Sequence, residues 1–113
     1  MLLEVGEVPR MVPDDVALCL YRVAQEAIHN VVKHSRARNA TLALRMAGDA
    51  LELRITDDGN GFVVGAARAN GSLGLISMQE RVRLVQGAIT VESKPGEGTR
   101  VEVRVPLPKE TKT

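Results

Sequence analysis

Glu26, Asn30 and Lys33 stand at i, i+4 and i+7. On a helix that spacing aligns an acid, an amide and a cation along one stripe. A carboxylate there can orient water or a protonated partner. An amide oxygen is a hard ligand suited to Mg²⁺, which prefers oxygen and keeps several waters. Lys33, with His34 at the helix end, can meet phosphate oxygens. The same stripe is also what an ordinary solvated helix face looks like.

Three glycine-bearing segments carry the rest. Asp57-Asp58-Gly59-Asn60-Gly61-Phe62 follows a predicted strand. A carboxylate at a strand end, with two glycines after it, lets backbone come close to a ligand. An ionised Asp only accepts, so it matches a donor such as the exocyclic amine of adenine. Asp-Gly and Asn-Gly are equally the residues of a polar turn. Gly71-Ser72-Leu73-Gly74-Leu75 opens a predicted helix, where free N–H groups bind anions. Its plain alternative is a loop with Ser72 as the N-cap. The Gly-Lys-Ser/Thr of a Walker A loop is absent. Gly96-Glu97-Gly98-Thr99 reads as a hairpin turn that brings one hydroxyl, that of Thr99, to the start of a strand.

The elements that position these residues follow from periodicity. Leu2 to Val8 is a short apolar lead-in, read as a strand. Pro13-Asp14-Asp15 begins a helix, with acidic side chains at the positive end of the dipole. From Val16 to about His34 the period is helical, with Leu20, Val23, Ala24, Ala27, Ile28, Val31 and Val32 on one broad side. Cys19 reads as a small core residue. Thr41–Met46 and Leu51–Thr56 form a hairpin turning at residues 47–50. In its second strand Leu51, Leu53 and Ile55 alternate with polar residues, so one face is buried. A helical turn is predicted over Val63–Arg68, and a helix over Leu73–Val85 with Ile76, Val82 and Val85 apolar and Gly87 at C′. Ala88–Glu92 and Thr99–Pro106 are strands, and the tail 109–113 is polar and frays. Strands and helices mix without regular βαβ alternation, which predicts one domain, an α+β two-layer sandwich with a mixed sheet and helices on one face.

Composition narrows the classes. The chain has 113 residues, 44% hydrophobic and 26% charged, the balance of a soluble globular protein with room for one core. Its 15 basic and 14 acidic residues leave a formal charge of +1, which argues against a nucleic-acid surface. Tyr21 and Phe62 as the aromatics leave no base-stacking platform. One cysteine excludes an internal disulfide framework. No apolar run of about 18 residues spans a membrane, and no basic n-region with an apolar h-region precedes the first helix.

The order of the four segments resembles the N, G1, G2 and final boxes of the gyrase/Hsp90/histidine-kinase/MutL ATPase superfamily, over about Leu20 to Leu107. Gln25 to Ser35 and Gly74 to Arg81 are more closely similar to the catalytic ATP-binding domain of sensor histidine kinases of the nitrate/nitrite-sensor and desaturase-sensor type. The resemblance implies the Bergerat ATP-binding fold, with ATP held between a long helix and a glycine-rich lid. It implies that Asn30 holds Mg²⁺ and that Glu26 sits beside it, orienting water or supporting the metal. Lys33 and His34 approach the phosphates. Asp58 receives the adenine amine, and Gly59 and Gly61 permit its close approach. Gly71, Ser72, Leu73, Gly74 and Leu75 form the lid end, and Thr99 completes the adenine pocket through water. Ser72 stands where this branch often has His, so backbone rather than side-chain contact to phosphate is expected there.

A histidine kinase also needs a phosphoacceptor His. His29 and His34 are the two histidines here, neither is followed by Asp or Glu, and both lie within the predicted nucleotide helix. The resemblance therefore implies a partner: a dimerisation domain of the same protein that supplies the His, with a response regulator downstream. The fragment itself is expected to be a cytoplasmic monomer without membrane contact, whatever anchors the parent protein. The alternative within the superfamily is an anti-sigma-factor-type serine kinase, which also lacks an acceptor His.

Overall fold

The computed structural model describes residues 1–108, so the frayed tail expected at 109–113 lies outside the described residues. Strand β1 is Leu2–Val5, followed by helix α1, Asp14–Asn30, which runs on into a π-helical turn, Val31–Ser35. Strands β2 (Ala40–Ala47) and β3 (Ala50–Asp57) form the hairpin, joined by the Gly48-Asp49 turn with Gly48 at φ 65°. Helix α2 (Val64–Ala69) and a 3₁₀ turn (Ser72–Gly74) lead into α3 (Leu75–Leu84), and β4 (Ala88–Ser93) and β5 (Thr99–Pro106) close the chain.

The five strands form one sheet in the order β1-β2-β3-β5-β4. β1 runs parallel to β2 and the other pairs are antiparallel, which gives the mixed sheet expected. Side chains alternate across the sheet, so residues paired in register share a face. Leu51, Leu53 and Ile55 pair with Val105, Val103 and Val101, and Val103 and Val101 pair in turn with Ile89 and Val91. This is the covered face, and Leu51, Val103 and Val105 are essentially inaccessible. The opposite face carries the polar alternates, with Glu52 bridging Arg45 and Arg104, and Glu102 bridging Arg54 and Arg100. Such exposed pairs each contribute about 0–1 kcal/mol, so the covered face holds the fold together.

α1 lays Val16, Cys19, Leu20, Val23 and Ala27 on the covered face, and α3 adds Leu75, Met78 and Val82. Each such Val or Leu contributes roughly 1.5–3 kcal/mol on full burial. Cys19 is a core residue as expected, and burial pushes its thiol pKa up.

Three local expectations are corrected. Val32 is 72% exposed, because nine residues at about 100° each place it on the side of the helix opposite Val23, the centre of the buried stripe. Ile76 is exposed too, since Leu75, Met78 and Val82 set the buried side of α3. Gly87 is not C′. Gln86 takes the left-handed conformation and its N–H donates to Arg83 O, while Gly87 N–H donates to Val82 O. That is a Schellman cap with Gly87 at C″.

Candidate functional site

The covered face ends in a polar rung. Beyond Ile55, Val101 and Val91, the next in-register residues on that side are Asp57, Thr99 and Ser93. Between this rung, α1 and the segment from Phe62 to Leu75 lies a cavity of about 560 Å³. Ala27, Val31, Ile55, Leu75, Met78 and Val101 make its walls apolar. Asp57 and Thr99 supply polar groups at one end, and Asn30 and His34 supply them along α1 and its π turn. An apolar cleft with a few convergent polar groups is the usual form of a small-ligand site.

Asp57, not Asp58, faces the cavity. Asp57 keeps the parity of Leu51, Leu53 and Ile55, whereas Asp58 lies one residue beyond the strand on the other side. The Asp58 carboxylate is exposed and committed elsewhere: it accepts the N–H groups of Arg38 and Asn39 and the Asn39 side-chain amide, each at 2.9 Å. The adenine contact expected of Asp58 is therefore corrected. Asp57 Oδ1 accepts the Gly59 N–H at 2.8 Å. Burial raises the Asp57 pKa, with the Gly59 bond opposing and the neighbouring Asp58 charge adding to the rise. The Asp58 pKa is lowered, chiefly by its bonds from Asn39. The signal was present in the sequence. Counting Asp-x-Gly-x-Gly back from Gly59 and Gly61 begins at residue 57, and so does the strand alternation.

The other expected residues divide in two. Asn30, His34, Gly61, Ser72, Leu73, Leu75 and Thr99 line the cavity. Glu26, Lys33, Gly59, Gly71 and Gly74 do not. Lys33 is exposed, since the π turn breaks the α-helical spacing before i+7. Glu26 packs under the lid instead: a Cβ on Gly74 would overlap its carboxylate. Gly59 is buried against the Ser35 carbonyl. Gly61 sits at φ 65° with the Lys94 carbonyl where a Cβ would be, so glycine is required there on both counts.

Asn30 reaches across to the lid. Its Nδ2 donates to Leu73 O at 2.8 Å. Leu73 itself is left-handed at φ 63°, between Gly71 and Gly74, which are left-handed too. A leucine in that region costs roughly 1–2 kcal/mol, and the Asn30 bond helps hold it there. Ser72 is not an N-cap for α3. Its hydroxyl donates to Ala67 O at 3.3 Å, and α3 starts at Leu75 with no side-chain cap.

The sequence pattern singles out neither Ser35 nor Ser93, and both contribute. Ser35 ends the π turn, and its carbonyl accepts the Asn60 N–H at 2.6 Å, tying α1 to the glycine loop. Ser93 stands behind Thr99, with its Oγ 2.9 Å from Thr99 Oγ1. Only its place two residues after Val91 on the same face points to it.

Residues 15–109 match the family described as Histidine kinase-, DNA gyrase B-, and HSP90-like ATPase. The chain belongs to this ATPase family. It is 41% identical over 92 residues to the signal transduction histidine-protein kinase/phosphatase DegS of Bacillus subtilis, covering 80% of this chain and 24% of that protein. To the sensor histidine kinase LiaS of the same organism it is 41% identical over 88 residues, covering 78% of this chain and 24% of that one. The chain thus spans about a quarter of the length of these curated relatives. The ATP binding domain of PrrB from Mycobacterium tuberculosis superposes with a TM-score of 0.64 at 28% identity, covering 95% of this chain and 82% of that one.

Family membership makes this an ATP-binding domain, of the histidine-kinase kind by its relatives and its fold. The serine-kinase alternative has no support among these named relatives. The ATPase family's α+β fold is the one expected from the sequence. Among the described residues no helix is long and apolar enough to cross a membrane.

Magnesium fits the residues present. Among the described residues no donor bonds to Asn30 Oδ1, and it is Nδ2 that engages the lid. Among the described residues no group of three or more His, Cys, Asp or Glu could hold a metal. An ion at Asn30 must therefore take most of its ligands from phosphates and water, which is how Mg²⁺ is commonly held.

Proposed function

We propose that the cavity binds Mg·ATP and that the bound nucleotide donates its γ-phosphoryl group to a histidine on a separate phosphoacceptor domain. The observation that carries this reading is the polar rung at the end of an apolar cavity, opposite an amide that grips the lid. Asp57 accepts the adenine amine and Thr99 completes that end. The purine lies on the apolar walls, and the triphosphate runs along Asn30 and His34 toward Ser72, Leu73 and Gly74. Bound Mg²⁺ neutralises phosphate charge. Asn30 Oδ1 holds it while Asn30 Nδ2 keeps the lid carbonyl in place. Glu26 supports that corner beneath Gly74 without touching the base. Phosphoryl transfer of this kind depends on positioning and charge neutralisation, which the isolated domain supplies only in part. A response regulator then receives the phosphoryl group, and the domain works as a monomer in the cytoplasm, where ATP is present. Similarity over Gln25–Ser35 and Gly74–Arg81 favours the nitrate/nitrite-sensor and desaturase-sensor branch.

The test supplies a helical phosphoacceptor hairpin from the parent protein together with γ-labelled ATP. The expected product is acid-labile, alkali-stable label on the hairpin, absent with Asp57→Asn. Acid-stable label on serine would instead support the serine-kinase alternative.

A further inference from the structure

Ser93 lies outside the cavity lining, yet its hydroxyl contacts three groups. Phe62 N–H donates to Ser93 Oγ at 2.9 Å. Ser93 Oγ donates to Gly98 O at 2.8 Å. Thr99 Oγ1 lies 2.9 Å from the same oxygen. A serine hydroxyl has one proton and two lone pairs. A carbonyl cannot donate, so the Ser93 proton belongs to Gly98 O. The Phe62 N–H takes one lone pair. The contact with Thr99 is then a hydrogen bond only if Thr99 gives its own proton to the second lone pair. Thr99 is left with acceptor capacity alone.

Asp57 is the register partner of Thr99, and its carboxylate is an acceptor as well. The whole rung therefore accepts and does not donate. We propose that Ser93 is a positioning residue that fixes the hydrogen-bond polarity of Thr99 and so makes the cavity select a purine with an amine, rather than a carbonyl, at the six position. This rests on the reading that the base lies at the Asp57–Thr99 end. An amine there finds acceptors. A carbonyl oxygen there meets them as a like partner, and a desolvated acceptor without a donor is strongly disfavoured.

The test measures ATP and inosine triphosphate affinities by calorimetry. The two nucleotides differ at the six position, amine against carbonyl, with the attendant proton on N1. The wild-type domain prefers ATP. Ser93→Ala frees the Thr99 proton to turn into the cavity, and the ATP-over-ITP ratio falls about tenfold. Ser93→Thr, which keeps a hydroxyl, retains the ratio. In a Thr99→Val background Ser93→Ala changes the ratio no further, because the residue through which Ser93 acts is gone. Equal weakening of both nucleotides by Ser93→Ala, with the ratio intact, would reduce Ser93 to a structural role and overturn the proposal. So would a ratio shift that persists in the Thr99→Val background. Should Ser93→Ala not fold, Thr99→Val and Thr99→Ser carry the test: valine narrows the ratio and serine keeps it, and equal ratios overturn the proposal. A wild-type domain that binds neither nucleotide overturns the ATP-site reading and this one together. ATP binding that is lost in Asp57→Asn, beside a ratio indifferent to Ser93, overturns this one alone.

Discussion

Replacing Asp57 by Asn exchanges an ionised acceptor for a neutral one at the point where the adenine amine is proposed to bind. A hydrogen bond to a charged group contributes about 1.5–3 kcal/mol. Its loss weakens ATP binding roughly 10- to 150-fold, taking about 1.4 kcal/mol per decade. The fold survives, because the amide oxygen of Asn can still accept the Gly59 N–H and burial already disfavours the charge at this position. Asp58→Asn is the internal control. It loses a charged acceptor for the Arg38 and Asn39 N–H groups and lowers the melting temperature, but it leaves ATP affinity unchanged. Calorimetric titration of ATP into both variants, with thermal melts alongside, reads the two effects separately. Wild-type affinity in Asp57→Asn, or its loss in Asp58→Asn, would refute the parity argument that assigns Asp57 to the cavity.

Other expectations follow from the same contacts. Asn30→Ala removes the Mg²⁺ dependence of ATP binding and frees the Leu73 carbonyl, so amide exchange across residues 71–75 accelerates even without nucleotide; unchanged exchange would contradict the lid contact. Gly61→Ala combines a left-handed backbone with overlap onto the Lys94 carbonyl and destabilises by at least ~2 kcal/mol in urea titration. Gly71→Ala, left-handed but with open space around it, costs only about 1 kcal/mol. The two aspartates oppose each other with pH. Asp57, raised from 3.8, favours the protonated folded form, so its contribution to stability falls as pH rises above 3.8 through its folded pKa. Asp58, lowered from 3.8, contributes stability that is complete above 3.8 and lost as pH falls through its folded pKa, and Asp58→Asn flattens the acid limb of a stability–pH curve.

Much of this fold is legible from spacing alone. Thr99–Pro106 runs over the residues predicted, because alternating apolar residues end at a proline and begin after a glycine turn. The Thr41–Thr56 hairpin is readable because Gly48-Asp49 is a two-residue turn between alternating strands. The same alternation, extended two residues past Ile55, selects Asp57 over Asp58. The π turn at Val31–Ser35 was not legible. Its residues continue a helical pattern, and a long-range bond, Asn60 N–H to Ser35 O, ties down its end. Lys33 departs from the helical spacing for that reason. Leu73 is the same kind of case: leucine gives no local sign of a left-handed backbone, and its hydrogen-bond partner lies on α1, 43 residues away in sequence. Ser93 has no motif at all, and only the β4–β5 register brings it to Thr99.

The most direct test of the central claim is an amide chemical-shift titration of the ¹⁵N-labelled domain with Mg²⁺ and a non-hydrolysable ATP analogue. The account predicts saturable shifts at Gly59, Gly61 and Phe62 at the base end and at Leu73 and Gly74 at the lid, with β1 and the sheet's open face unmoved. Shifts confined to β1 or to the Arg45–Glu52–Arg104 face, or none in a folded sample, would contradict it.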